Sequence, residues 1–353
     1  MKYYIRNTKK QRYQLGFSLV EIMVGLAISS ILMTGIVDIY IGNKQTYRVQ
    51  DALSQVQENG HAAIDLLAQD ARMAGYQGCF SLKSLPTTNT YLTSGVPDFS
   101  LDTVISGHSY DGSSWVPTSP AVRLTSSHEV KANTDVLTIT RASSCSQDLQ
   151  ATVSKDATSV TLIGERTCPM KAGDYFIISD CGGSEIFRSD SVTTSSGNTV
   201  LVTSDGNFDR LYSHVNTPTN AIARVMRLES TDYFISENTQ GVPILRRNEL
   251  DGASGYTNTP LLEGIEDMAI TYGSRDPSTD QNVLYQSASS VSNWEHVSSV
   301  RISLLMRSVA NNLATEPTAY TFAGTTTAAD DMDTTDKYLR RVYTTSIQLR
   351  ERK

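Results

Sequence analysis

The chain has 353 residues, 37 Asp and Glu against 30 Lys and Arg, and a formal net charge of −7. That acid excess excludes a surface built to coat nucleic acid, which would be basic, although it leaves room for a local basic patch. The length supports a membrane segment followed by about 280 residues, enough for one large domain or two small ones.

The first 16 residues form a basic leader. Lys2, Arg6, Lys9, Lys10 and Arg12 stand there with no acid, so removing the leader takes the net charge from −7 to −12. From Phe17 to Ile41 the sequence is mostly apolar and free of proline, which is the length of a membrane-spanning helix. Cations on its N-terminal side predict a cytoplasmic N-terminus with the remainder exported. No small-x-small cleavage pattern follows the apolar run, so it does not read as a standard secretory signal. Glu21 sits four residues into this run. A carboxylate there costs on the order of 2–3 kcal/mol on insertion scales and reads as functional. The plainer account is an interfacial acid favoured by the helix dipole.

The helical pattern continues beyond Ile41. Val49, Leu53, Val56, Gly60, Ala63, Leu67, Ala71 and Ala74 recur at spacings of three and four, with Gln50, Asp51, Glu58, Asp65, Gln69 and Arg72 opposite. This predicts one amphipathic continuation whose thin stripe packs closely on a sheet; a coiled-coil seam is the alternative. Gly75, with Arg72 in the last turn, marks the end of the helix. Ser84–Pro120 is rich in Ser, Thr, Pro and Gly and reads as a long irregular excursion, a composition that also suits disorder.

From Ala121 the period becomes two. Strands are expected at Ala121–Leu124, Asp135–Arg141, Ser159–Ile163, Asp174–Ser179, Glu185–Ser191, Thr199–Thr203, Ala223–Leu228, Thr231–Ser236, Val242–Arg247, Gly264–Tyr272, Val300–Val309 and Arg340–Arg350. No helical crossover separates them, so the sheets should be mainly antiparallel and the fold class α+β: a long N-terminal helix on a β-rich globular domain. The implied divisions are 1–16, 17–41, 42–75 and 76–353.

Chemistry-bearing clusters are sparse. His61, His108, His128, His214 and His296 show no metal-ligand spacing. Gly107-His-Ser-Tyr-Asp-Gly112 lacks the second glycine of a nucleophile elbow. Asp330, Asp331, Asp333 and Asp336 form an acidic run that lacks the glycine and closing glutamate of a calcium loop, and reads as a solvated loop. No enzyme, metal or cofactor is therefore expected. Cys79, Cys145, Cys168 and Cys181 are an even set. In an exported chain they are disulfide candidates with three possible pairings, buried free thiols being the alternative.

Leu15-Gly16-Phe17-Ser18-Leu19-Val20-Glu21, behind a basic leader and ahead of an apolar run, resembles the prepilin motif of type IV pilins and type II secretion pseudopilins. The resemblance implies cleavage by a prepilin peptidase between Gly16 and Phe17, N-methylation of Phe17, and an assembly role for the Glu21 carboxylate. Its physical logic is charge pairing: cleavage creates a cationic amine on Phe17, and a neighbour's amine can neutralise Glu21 in a low dielectric. Arg72–Cys79, Asp135–Ile139, Ala172–Cys181 with Ile186-Phe187, and Arg340–Arg350 are similar to the PilW-like minor pilins in particular. That branch implies a minor pilin that primes pilus assembly and stays at or near the tip, supporting twitching motility and cell adhesion. It implies an inner-membrane, single-pass precursor that later joins the surface pilus. Implied partners are other minor pilins, the major pilin, the inner-membrane assembly platform and a tip adhesin. The motif also fits a J-class pseudopilin of type II secretion. The anchor alone fits a non-polymerising periplasmic binding module.

Overall fold

A computed structural model describes residues 16–79, 99–118, 124, 128–204, 208–216, 221–252, 255–275 and 283–350. The leader up to residue 15, most of the expected strand Ala121–Leu124 and the stretch 84–98 lie outside the described residues. The chain divides into two compact units, one ending at Asp51 and one beginning at Ala52.

The elements in chain order are α1 (Leu19–Arg72), β1 (Ile105–Tyr110), β2 (Trp115–Val116), β3 (Thr134–Asp148), β4 (Ser159–Leu162), β5 (Tyr175–Asp180), β6 (Gly183–Arg188), β7 (Ser191–Ser195) and β8 (Asn198–Val202). They continue with β9 (Arg224–Glu237), β10 (Pro243–Asp251), β11 (Gly255–Glu263), β12 (Ile265–Arg275), β13 (Val283–Gln286), β14 (Val297–Arg307), β15 (Tyr320–Phe322), β16 (Thr325–Thr327) and β17 (Arg340–Gln348). Among the described residues every strand pairing is antiparallel. The fold is α+β.

One large sheet runs β11-β10-β9-β3-β1-β2, with β5 and β6 added beside β9. A second runs β13-β12-β14-β17, and a third, β4-β8-β7, is small. In the second unit, the C-terminal part of α1 buries Val56, Gly60, Ala63, Leu67, Ala68 and Ala71. Leu53, expected on the same stripe, remains 38% exposed. These helix residues join Ile105, Leu137, Tyr233, Ile270, Ile302, Leu304 and Ile347 in the main core. The contact is close because the stripe is thin. A Cβ added to Gly60 would lie 2.5 Å from Cε2 of Tyr343 on β17, so only glycine lets the ring sit against the helix backbone.

The helix ends at Arg72, and the chain tightens through i−3 bonds from Met73 to Asp70 and from Ala74 to Ala71. Gly75 follows at φ +76. Its N–H donates across to the Thr140 carbonyl on β3 rather than back to the helix, so the stop signal also docks the chain onto the sheet.

A second core lies between β3 and β9. It contains Leu149, Val160, Leu162, Met170, Phe176, Ile178, Phe187, Leu201, Phe208, Tyr212 and Val225. The 14-residue β9 serves both cores. One of its faces gives Val225 to the second core and Tyr233 and Ile235 to the main core, with Arg227 and Glu229 between them. The sequence pattern predicts two strands there, Ala223–Leu228 and Thr231–Ser236, but the structure has one. The interruption is a polar belt whose members are satisfied across the sheet. Asp232 accepts from Thr138 at 2.7 Å and Asn248 at 3.1 Å, and Ser230 shares a 2.7 Å hydroxyl bond with Thr140.

Several strands are not signalled by alternation. β1 and β2 lie inside the expected irregular excursion, and β7, β11, β13, β15 and β16 fall outside the strands that the sequence pattern predicts. β7, β11 and β16 are mostly exposed. Such strands need not alternate apolar with polar residues, because they touch the cores only through a few half-buried residues, Leu261 and Leu262 of β11 and Val192 of β7.

Candidate functional site

The N-terminal unit presents the prepilin-like segment in the open. Gly16, Phe17 and Ser18 precede α1, and Phe17 is 78% exposed. Glu21 lies in the first helical turn, on an exposed surface. The apolar part of α1 is long enough to cross a membrane, and the side chains of its most apolar window are not buried inside the protein. Leu19, Ile22, Leu26, Ile31, Ile36 and Ile41 are all exposed. Apolar surface of this extent calls for lipid or for other helices. Its hydroxyls are adapted to the same setting. Ser30 Oγ donates to the Ala27 carbonyl at 2.8 Å and Thr34 Oγ1 to Ser30 at 3.0 Å, so neither hydroxyl requires water.

In the second unit an ion ladder grips the end of α1. Asp70 accepts from Arg141 at 3.2 Å, Arg141 pairs with Glu229 at 2.8 Å, and the series continues through Arg227 and Glu249 to Arg247. The Tyr233 hydroxyl also donates to Asp70. Burial, then the Asp70 charge, pushes that phenol well above its ordinary range, so it stays a donor. Sequence reading placed Asp70 on no site, because its partners lie 71 and 163 positions away. A second grip involves the extra residue of a β-bulge in β12. Glu266 there takes Arg340 at 2.6 and 2.9 Å, and Asp336 takes the same guanidinium at 2.8 Å. Burial disfavours the Arg340 cation, but the bonds to Glu266 and Asp336 outweigh it and raise its pKa.

The structure pairs Cys79 with Cys181 and Cys145 with Cys168. The first bridge ties the segment after α1 to the β5–β6 turn. The second fastens the β3 bulge between Ala142 and Ser146 to the loop ahead of Met170, at the edge of the second core.

The other sequence candidates do not converge. His108 Nδ1 bonds the Pro117 carbonyl at 2.9 Å, whereas Ser109 donates to Asp135 at 2.5 Å. Neighbours on a strand face opposite ways, so the two are not brought together. Asp333 caps Thr335 at 2.8 Å and Asp336 is held by Arg340. Among the described residues no group of three His, Cys, Asp or Glu side chains is placed to hold a metal ion.

Residues 11–37 match the prokaryotic N-terminal methylation motif, and residues 232–351 match the family described as Type IV Pilus-assembly protein W. The chain matches a PilW-family, prepilin-type protein. No curated protein and no solved structure matches it. The PilW match runs from the later half of β9 through β17, which is most of the sheet scaffold of the main core. Of the patches that carry the resemblance in the sequence, Arg340–Arg350 falls within it. Residues 149–223, which build the second core, lie outside both matches. The methylation motif, the PilW match and the exposed apolar helix together support a type IV pilus-related pilin.

Proposed function

We propose that the chain is a minor pilin that primes type IV pilus assembly and is incorporated at or near the tip, where it supports twitching motility and adhesion. It acts as a structural subunit rather than an enzyme. The observation that carries the reading is the methylation-motif match at 11–37, leading into a helix whose most apolar window is left uncovered by the rest of the chain. In this reading prepilin peptidase cuts after Gly16, Phe17 becomes the methylated N-terminus, and the N-terminus faces the cytoplasm until subunits leave the inner membrane through the assembly platform. Glu21 then pairs with the Phe17 amine of a neighbouring minor or major pilin. Misregister leaves that carboxylate buried without a counter-charge, so correct docking is the low-energy state. The 149–223 lobe, outside the family match, supplies contacts to other minor pilins or to a tip adhesin.

Intact-mass and N-terminal analysis of the protein from membranes tests the first step. A methylated Phe17 start is expected, and a retained leader in a functional protein would overturn the reading. Glu21→Val tests the second. It should insert in the membrane and yet lower piliation about tenfold or more, since an unpaired charge of a few kcal/mol is at stake. Normal piliation with that variant rules out the register mechanism.

A further inference from the structure

Beside the Cys79–Cys181 bridge lies a cleft of about 380 Å³. Tyr76, Ile222 and Met226 give it apolar wall, and Ser146, Ser179, Asn216, Asp180 and Arg224 give it polar wall. Its size is at the small end of ligand pockets, roughly 300–1,000 Å³, with room for a ring rather than a chain. The two charged groups in the wall are already matched within the protein. Asp180 pairs with Arg210 at 2.9 Å and accepts the Gly182 N–H at 2.7 Å, and Arg224 Nε holds Asp148 at 3.0 Å. An ionic ligand would therefore compete with internal partners to bind. Beside the outer N–H groups of the exposed Arg224 guanidinium, the hydrogen-bonding capacity that remains belongs to neutral groups: the Asn216 amide, the Ser146 hydroxyl and, deeper, Ser179, whose Oγ is buried without a partner. Such a buried hydroxyl costs stability unless a ligand satisfies it. It sits against Gly78, where the absence of a side chain keeps the wall thin: an added Cβ would lie 3.1 Å from that oxygen.

We propose that this cleft binds a neutral saccharide ring. A pyranose combines an apolar face, suited to Tyr76, Ile222 and the Met226 side chain, with a rim of hydroxyls that both donate and accept. Amide and hydroxyl groups answer those hydroxyls without a net charge. The site is independent of the assembly role, because its binding is measured on the isolated chain whether or not pili form.

The test uses the full-length protein in a non-glycosidic detergent, with saturation-transfer NMR against D-glucose, D-galactose, D-mannose and N-acetyl-D-glucosamine. At least one sugar is expected to show transfer with millimolar affinity. Ala221→Trp, in the cleft wall, should fill the cleft and raise the Kd about tenfold or more. Asn216→Trp, at an exposed lining position, reads the same blockade if the first variant is unstable by thermal melting. Absence of transfer from every sugar with the wild-type chain overturns the proposal. So does transfer that persists unchanged in a folded plug variant.

Discussion

The main core and the second core hang from the same two strands yet are built on different terms. The main core seats the end of α1 against two sheets. Its contacts run through the helix stripe, the bulge at Glu266 and the C-terminal strand β17. The second core is an excursion, residues 149–223, inserted between β3 and β9 and fastened at its base by Cys145–Cys168. Between them crosses the belt of alternating charge from Asp70 to Arg247. The PilW match covers most of the first and none of the excursion. The excursion is closed by its own disulfide and packs around a core that the helix does not enter.

The strongest break in this comparison comes from emptying each core. Phe176→Ala in the second core should cost about 3–5 kcal/mol and Leu67→Ala in the main core about 2–5 kcal/mol; both side chains are fully buried. Hydrogen exchange resolved by element separates the outcomes. If the belt divides two cooperative units, Phe176→Ala speeds exchange in β4, β5 and β8 while β12 and β14 keep their protection. Uniform loss of protection would show that the cores unfold as one. Next is the bridge. Replacing Cys145 and Cys168 together by Ser should cost roughly 2–4 kcal/mol, again read as faster exchange confined to the excursion.

A smaller effect sharpens the main-core side. Burial raises the Asp267 carboxyl to about 6. Its pKa in the fold is thus above its unfolded value, so stability is greatest below about pH 4 and is lost as pH rises through about 6. Asp267→Asn removes that loss. The variant should be more stable than wild type at pH 8 by roughly 2–3 kcal/mol, with the difference vanishing near pH 4. Chemical denaturation at the two pH values measures it, and an advantage independent of pH would assign the gain to packing instead.

The sequence alone carried the prepilin-like motif and the apolar helix behind it. The basic leader, the glycine-phenylalanine step, the acid at fixed offset and the apolar run are all consecutive, so their chemistry is complete in one dimension. The stripe from Val56 to Ala71 was equally legible, since helical spacing reports a buried face directly, and so were the alternating strands at Asp135 and Val300. What only the tertiary structure decided depends on residues far apart in the chain. Cysteine pairing, the grip of Arg141 and Tyr233 on Asp70, and the capture of Arg340 by a bulged Glu266 arise once strands are in register. β9 shows the limit most clearly. Read locally, its charged middle breaks a strand. In the folded sheet, cross-strand partners neutralise those same residues and the strand runs unbroken between two cores. Local sequence fixes which groups need partners, and long-range register supplies them.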